Sequence, residues 1–252
     1  MYKNRMAEHA EVYHSEYLRG THRRKDIQFR HLLLRWLPRL LPYVIWSVIA
    51  PWLFLLEQFL RCTIRNLYSH PSERFVEYNW VLKNIDWSKK TILDFGAGDS
   101  LLPNYLSFRG FNAHILDLFW YEAQRGSGIH FVRGDILYAP YSDNVFDQII
   151  AVSVIEHIEK EQWCLQELLR ILKPGGLLLI TVPLGRNYYN EQKLSHFAVK
   201  GCKILRERYL YVNRRKWVEI PKWKINKKIS EGRNGFKGLA CLILLKTNRG
   251  KL

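Results

Sequence analysis

From residue 71 onward, short apolar runs alternate with amphipathic stretches, a pattern typical of βαβ units that build a parallel sheet. Five apolar runs predict the strands Thr91–Phe95, Ala113–Leu118, Ile129–Val132, Phe146–Val152 and Gly176–Val182. Helices are predicted over Leu101–Phe108 and Lys160–Leu172, and near Glu191–Ala198. Two more strands, near Lys203–Val212 and Leu239–Lys246, predict an antiparallel hairpin at the sheet edge. We therefore predict an α/β fold with a mostly parallel, seven-stranded sheet and an antiparallel C-terminal hairpin.

A long apolar segment precedes this domain. Leu40–Leu56 contains no charge over 17 residues, and as a straight helix it would rise about 26 Å, slightly less than the roughly 30 Å hydrocarbon core of a bilayer. Pro42 and Pro51 are expected to interrupt that helix. Three arrangements stay open: an interfacial or re-entrant segment, a spanning segment, or helices buried against the rest of the chain or a partner subunit. We expect a helical, membrane-associating N-terminal region over 1–70 and a second domain over 71–252.

Charge is distributed unevenly along the chain. The net charge of +16 divides into +7 for residues 1–90, −5 for residues 91–184 and +14 for residues 185–252. Cations beside an apolar segment attract anionic lipid headgroups, each contributing roughly 1 kcal/mol close to the surface. The pattern favours contact of residues 32–60 with the cytosolic face of a membrane.

The four cysteines, Cys62, Cys164, Cys202 and Cys241, are widely spaced. None forms a CxxC pair or lies beside a histidine at metal-ligand spacing. We therefore expect reduced thiols in a cytoplasmic protein, with neither a disulfide framework nor a metal site.

A glycine-rich turn follows the first predicted strand in TILDFGAGDS, residues 91–100. The strand ends at Asp94, and Gly96 and Gly98 allow backbone amides to approach a ligand closely before the next helix begins. A dinucleotide fingerprint would place a third glycine where Leu101 stands, so pyrophosphate binding is disfavoured. The turn predicts a nucleotide-like ligand of another kind.

Two carboxylates follow the next strands. Asp117 ends the second strand, where a carboxylate can accept both hydroxyls of a ribose. Asp135 follows the third strand and is placed to meet an adenine amino group, with Ile136 against the ring face. Each aspartate could instead be a helix cap or a turn residue, but together with the glycine turn they indicate an adenosine-containing ligand.

These motifs together resemble the class I S-adenosylmethionine-dependent methyltransferases of the small-molecule type. The resemblance covers roughly residues 75–250 and rests on five sequences: LDFGAGDS, LD at 116–117, GDI at 134–136, FDQIIAVSVIEHI at 146–158, and LKPGG at 172–176. It implies a Rossmann-like fold and S-adenosylmethionine as cofactor. By this resemblance Gly96 and Gly98 line the methionine moiety, and Asp94 faces its amino group. The remaining implied cofactor residues are Ala97, Asp117, Leu118, Asp135, Ile136 and Ser153.

Methyl transfer from a sulfonium requires alignment of the acceptor and exclusion of water more than chemical activation. If the acceptor is a hydroxyl, a base must remove its proton, and His157 after the fourth strand has a suitable titration range. Its alternative role is to support the loop and the start of the next helix. The acceptor pocket is expected to include the segment after the fifth strand, with a solvated loop as the alternative. Its candidate contact residues are Arg186, Tyr188, Tyr189 and His196.

The leading hypothesis is O-methylation of a lipidic or lipid-linked acceptor, such as the sugar of a lipid-linked glycan, at the cytosolic membrane face. A quinol O-methyltransferase is the nearest alternative within the enzyme class. A second reading is an RNA-associated methyltransferase whose basic flanks bind nucleic acid, although no DPPY-like or paired-cysteine motif supports it. A third is a non-catalytic subunit that retains the fold and docks on a partner through its apolar N-terminal segment.

Overall fold

The protein is described here from a computed structural model that covers residues 41, 43–67, 73–124, 126, 128–213, 216–232 and 237–247. Eight strands within these ranges form one sheet. They are β1 Thr91–Phe95, β2 Asn112–Asp117, β3 Ile129–Arg133, β4 Phe146–Val152, β5 Leu172–Leu184, β6 Cys202–Asn213, β7 Lys216–Ile220 and β8 Gly238–Lys246. The strand order across the sheet is β3-β2-β1-β4-β5-β8-β6-β7.

The first five strands run parallel and the last three are antiparallel to their neighbours. The prediction of a mostly parallel sheet with antiparallel C-terminal strands is thereby confirmed. The two predicted C-terminal strands pair with each other but do not form an edge hairpin, because β8 lies between β5 and β6. The strand count differs, because β7 adds an edge strand that the sequence pattern did not predict. Its sequence KWVEI is short and half polar, as is common for strands that protect a sheet edge.

Five α-helices accompany the sheet in the described ranges. They are α1 Tyr43–Leu67, α2 Glu73–Asn84, α3 Leu102–Phe108, α4 Glu161–Ile171 and α5 Ile225–Glu231. Short 3₁₀ helices supply several connections, including Lys193–Phe197, which replaces the longer helix predicted near Glu191–Ala198. This segment closes as a tighter turn beside the core, with Leu194 and Phe197 buried.

The helices cover both faces of the sheet. The apolar sides of α1, α2 and α3 pack with Ile92, Ile150 and Leu179 on one face. On the other face α4 and α5 pack with Leu93 and Leu178. The adjacent strand residues alternate between the two faces, as the two-residue period of a strand requires.

Helix α1 runs through Pro51 without interruption, so the predicted break is not observed there. Its buried face carries Trp46, Ala50 and Phe54. The Phe54 ring stacks on Tyr105 of α3, with ring centroids 5.2 Å apart. This face of the apolar segment is therefore buried against the rest of the chain, one of the three arrangements that the sequence left open.

No helix in the described ranges combines the length and apolar character required to cross a bilayer. Residues 32–40 and Pro42, which belong to the predicted membrane segment, lie outside the described residues.

Candidate active site

The glycine turn follows β1 at the carboxyl edge of the parallel strands. Gly96 and Gly98 have φ angles of 66° and 58°, in the left-handed region where residues with a Cβ are disfavoured. A Cβ on Gly96 would overlap the side chain of Val154, whereas one on Gly98 would meet no atom within 4 Å. The turn therefore packs tightly on its Gly96 side and is open on its Gly98 side, where a ligand can approach.

Two buried aspartates on neighbouring strands lie next to this turn. Asp94, at the end of β1, is 4% exposed, and burial followed by the charge of Asp117 raises its pKa to about 8. Burial also raises the pKa of Asp117. Asp117 accepts hydrogen bonds from the amides of Gly98 at 2.9 Å and Phe119 at 3.0 Å. A buried pair of acidic groups of this kind favours a cationic or hydroxyl-bearing ligand, which would compensate the charge.

Gln124 also contacts the glycine turn, and the sequence analysis did not predict this contact. Its side-chain Nε2 donates to the carbonyl of Gly98, and it is buried in the 3₁₀ helix Glu122–Gln124. The neighbouring Ala123 carbonyl accepts a hydrogen bond from the Trp46 indole at 3.4 Å. A lone glutamine in a short polar loop carries no sequence signal for this role.

Asp135 follows β3 and caps the 3₁₀ helix Ile136–Tyr138 by accepting from the Leu137 amide at 3.0 Å. The helix-cap alternative is thus present, through one carboxylate oxygen. Ile136 is buried in the hydrophobic core, so its side chain offers almost no surface to an adenine ring, which corrects that part of the prediction. Leu118, beside Asp117, is half-buried and remains accessible.

The end of β4 is held by a buried polar network. Glu77 of α2 accepts hydrogen bonds from the hydroxyls of Ser153 and Thr181, the latter at 2.8 Å. Its other oxygen pairs with Arg74 at 3.4 Å, and Arg74 also donates to the Val152 carbonyl at 3.0 Å. Glu77 and Arg74 were not predicted as site residues, because a carboxylate inside a helix is usually solvent-exposed.

His157 lies in the 3₁₀ helix Ile155–His157 that follows β4. Its imidazole is about half exposed, and Nε2 lies 3.8 Å from Glu156 Oε1. Burial lowers the pKa of His157 below its usual 6.5, so the ring is largely neutral at pH 7 and able to accept a proton. Burial raises the pKa of the neighbouring Glu156 to about 8.

The predicted acceptor segment after β5 divides into two parts. Arg186 and Tyr188 are exposed, and His196 Nδ1 lies 3.7 Å from Glu161 Oε1 at the start of α4. Tyr189 is fully buried and packs on Phe197 with ring centroids 5.4 Å apart. Tyr189 is therefore a core residue and not a pocket wall, because its side chain has no exposed surface.

The structure thus brings Asp94, Ala97, Gly98 and Asp117 together at the carboxyl edge of the sheet. Ser153 follows the adjacent strand, β4, at the same edge. Residues 93–180 match a family model described as a methyltransferase domain.

Several known proteins share sequence with this chain, and two of them illustrate the extent of the match. The ubiquinone biosynthesis O-methyltransferase of Rickettsia conorii is 32% identical over 104 residues, 38% of this chain and 36% of that protein. The demethylmenaquinone methyltransferase of Paenarthrobacter aurescens is 32% identical over 87 residues, 32% of this chain and 34% of that protein. The chain therefore matches only about a third of the length of these relatives.

Among solved structures, a putative S-adenosylmethionine-dependent methyltransferase from Listeria monocytogenes has a TM-score of 0.52 at 13% identity, covering 68% of this chain and 98% of that one. This likeness concerns the fold. Residues 93–180 are thus similar to a methyltransferase domain, and the Rossmann-like fold of the chain resembles that of this solved structure.

Proposed function

We propose that this chain transfers the methyl group of S-adenosylmethionine to an oxygen of a lipidic or lipid-linked acceptor at the cytosolic face of a membrane. The observation that carries methyl transfer is the buried Asp94–Asp117 pair next to an open glycine turn. Asp94 has a raised pKa because it is buried and lies near the charge of Asp117, and the cofactor's amino group is a cation that would stabilise its ionised form. Asp117 supplies carboxylate oxygens for the ribose hydroxyls. When bound, the cofactor supplies an activated methyl group.

Side chains of the protein would remove the acceptor's proton and orient the acceptor. His157 is neutral at pH 7 and half exposed beside the strand edge, so it can remove the proton of an acceptor hydroxyl as the methyl group is transferred. Arg186 and Tyr188, exposed on the turn after β5, are available to orient a polar acceptor group. General bases of this kind typically contribute about 10²–10⁴-fold in rate.

The membrane location is supported by the second face of α1. While Trp46 and Phe54 are buried, the opposite face is apolar and exposed; its side chains are Val44, Ile45, Val48, Trp52, Leu55, Leu56 and Phe59. Seven large apolar side chains on one exposed helix face are typical of an interfacial surface. We propose that this face enters the headgroup region of a lipid bilayer.

Vesicle flotation tests the location. Wild-type protein is expected to float with vesicles of phosphatidylcholine and phosphatidylglycerol, and W52E to lose most of this binding because it places a carboxylate on the exposed face. The matched control is W163E, since Trp163 is similarly exposed, 68% against 59% for Trp52, but lies on α4 across the sheet. Equal flotation of W52E and wild type would refute this docking face. A monodisperse complex with a second protein and no flotation would support the partner-subunit alternative instead.

Two acceptor classes fit the proposal. The names of the Rickettsia conorii and Paenarthrobacter aurescens relatives favour a quinol precursor, whereas the basic flanks and exposed apolar helix also suit a lipid-linked glycan. Both acceptors are amphiphilic, so the membrane argument does not separate them.

Labelled cofactor separates the acceptors. The protein is incubated with methyl-labelled S-adenosylmethionine and membrane extract, and the label is partitioned among lipid, RNA and aqueous fractions. Label that becomes water-soluble after mild acid hydrolysis of the lipid fraction indicates a lipid-linked glycan. Label that stays in the organic phase with a quinone absorbance indicates a quinol. Label in RNA would overturn the proposal, and cofactor binding without transfer would indicate a non-catalytic subunit.

A further inference from the structure

Helix α2 places a carboxylate among the strand ends of the site although it lies outside the matched residues 93–180. Glu77 is only 1% exposed. One oxygen accepts from two hydroxyls, those of Ser153 and Thr181, on adjacent strands. The other pairs with Arg74, which also holds the last carbonyl of β4. The carboxyl ends of β4 and β5 are thus tied to α2 by one buried group.

Ser153 has a backbone conformation that needs support. Its φ is 45°, and among the described residues the only other non-glycine residue with positive φ is Asn144. Left-handed backbone at a residue with a Cβ costs free energy and persists where the surroundings enforce it. For Ser153 the surroundings are the bond of its hydroxyl to Glu77 and the bond of its amide to the Thr181 carbonyl at 2.9 Å.

The next residue connects this strained position to the glycine turn. Val154 packs so closely on Gly96 that a Cβ at Gly96 would overlap its side chain. A change in the backbone of Ser153 moves Val154, and Val154 is the wall against which Gly96 rests. The contacts therefore run from Glu77 through Ser153 and Val154 to the turn.

We infer that Glu77 is a positioning residue that fixes the shape of the glycine turn by holding Ser153 in its left-handed conformation, and that it thereby sets the affinity for the cofactor. The inference rests on the proposed function, in which this turn binds S-adenosylmethionine. Glu77 itself is separated from the turn by Ser153 and Val154 and acts through them.

The test combines a loss with a rescue. E77Q keeps the size of the side chain but removes the charge, and we expect it to weaken the binding of S-adenosylhomocysteine about tenfold in calorimetry. Glycine adopts positive φ without cost, so S153G in the E77Q background is expected to restore most of the affinity. N144G is the matched control, because it relieves the same kind of backbone strain away from the site and should restore nothing.

A second variant and a second measurement keep the outcome decisive. S153A removes the hydroxyl that donates a hydrogen bond to Glu77, and it should weaken the binding of S-adenosylhomocysteine as E77Q does. Hydrogen exchange at the amides of residues 96–98, measured without ligand, should be faster in both variants and return towards wild type with S153G. Unchanged exchange and unchanged affinity in folded E77Q and S153A, or rescue by N144G, would overturn the inference. Faster exchange in E77Q in a protein whose wild type binds no S-adenosylhomocysteine would leave the positioning role standing and remove the proposed function.

Discussion

Replacement of Asp94 by Asn should stabilise the protein at neutral pH while weakening cofactor binding. Asp94 is almost fully buried, and its pKa is raised from 3.8 to about 8, first by desolvation and then by the charge of Asp117. The positive charge of Arg74 lowers the pKa of Asp94 and offsets only part of this increase. Between pH 4 and pH 8 the unfolded chain ionises Asp94 whereas the native state keeps it protonated, so the native state loses stability as the pH rises.

The size of the effect follows from the two pKa values. The pKa of Asp94 is higher in the folded state than in the unfolded chain. Its contribution to the free energy of unfolding is therefore complete below pH 4 and is lost as the pH rises towards 8. Each pKa unit corresponds to about 1.4 kcal/mol, so the roughly three units between 3.8 and pH 7 amount to as much as about 4 kcal/mol. Because Asn resembles the neutral carboxyl group, D94N and wild type should be similarly stable at pH 4. At pH 7 D94N should be the more stable, by up to that amount.

Urea unfolding followed by tryptophan fluorescence at pH 4 and pH 7 measures the difference, and calorimetry with S-adenosylhomocysteine measures binding. Asp147 provides the matched control: its ion pair with Lys173, 2.8 Å long, contributes to a lowered pKa. D147N should therefore destabilise the protein at pH 7 and leave cofactor affinity unchanged. The reasoning is refuted if D94N is no more stable than wild type at pH 7, or if its advantage is the same at both pH values.

Three further predictions concern the base, the glycine turn and the docking of α1. H157Q should lower kcat about 100-fold and abolish the fall in wild-type rate below the lowered pKa of His157; an unchanged pH–rate profile would exclude His157 as base. G96A should lower the midpoint of urea unfolding more than G98A, because only a Cβ at Gly96 would overlap Val154. G98A should mainly weaken the binding of S-adenosylhomocysteine. Equal unfolding midpoints for the two variants would contradict this packing. F54A should lower the free energy of unfolding by about 3 kcal/mol and make α1 susceptible to limited proteolysis before the sheet is cleaved. Equal cleavage of α1 in F54A and wild type would argue against the packing of α1 on the domain.

Strand positions were predictable because buried parallel strands require uninterrupted apolar runs, and these runs are visible in the sequence. Strand β7 was missed because an edge strand needs only partial burial and its charged residues, Lys216 and Glu219, obscure the apolar pattern. The continuity of α1 through Pro51 was missed for a different reason. Packing of Trp46 and Phe54 on the domain supports the helix on both sides of the proline, and a local propensity cannot include that contribution.

The site was predictable where the chemistry is local. Asp94 and Asp117 lie at the ends of two parallel strands, and Gly98 lies in the turn after the first, so their spacing already implies that they meet. Glu77 and Gln124 reach the same edge from elements distant in sequence, and no single-sequence pattern reports such a contact.

The 3₁₀ helix Glu122–Gln124 is held from two sides, by the Trp46 indole on the Ala123 carbonyl and by the Gln124 side chain on the Gly98 carbonyl. Binding free energies between two sites that share an element are reciprocal. A ligand that orders the glycine turn through this helix must therefore strengthen the attachment of α1 by the same factor by which attached α1 strengthens the ligand. Helix α1 and the glycine turn are therefore energetically coupled, and mutations in either are expected to be non-additive with mutations in the other.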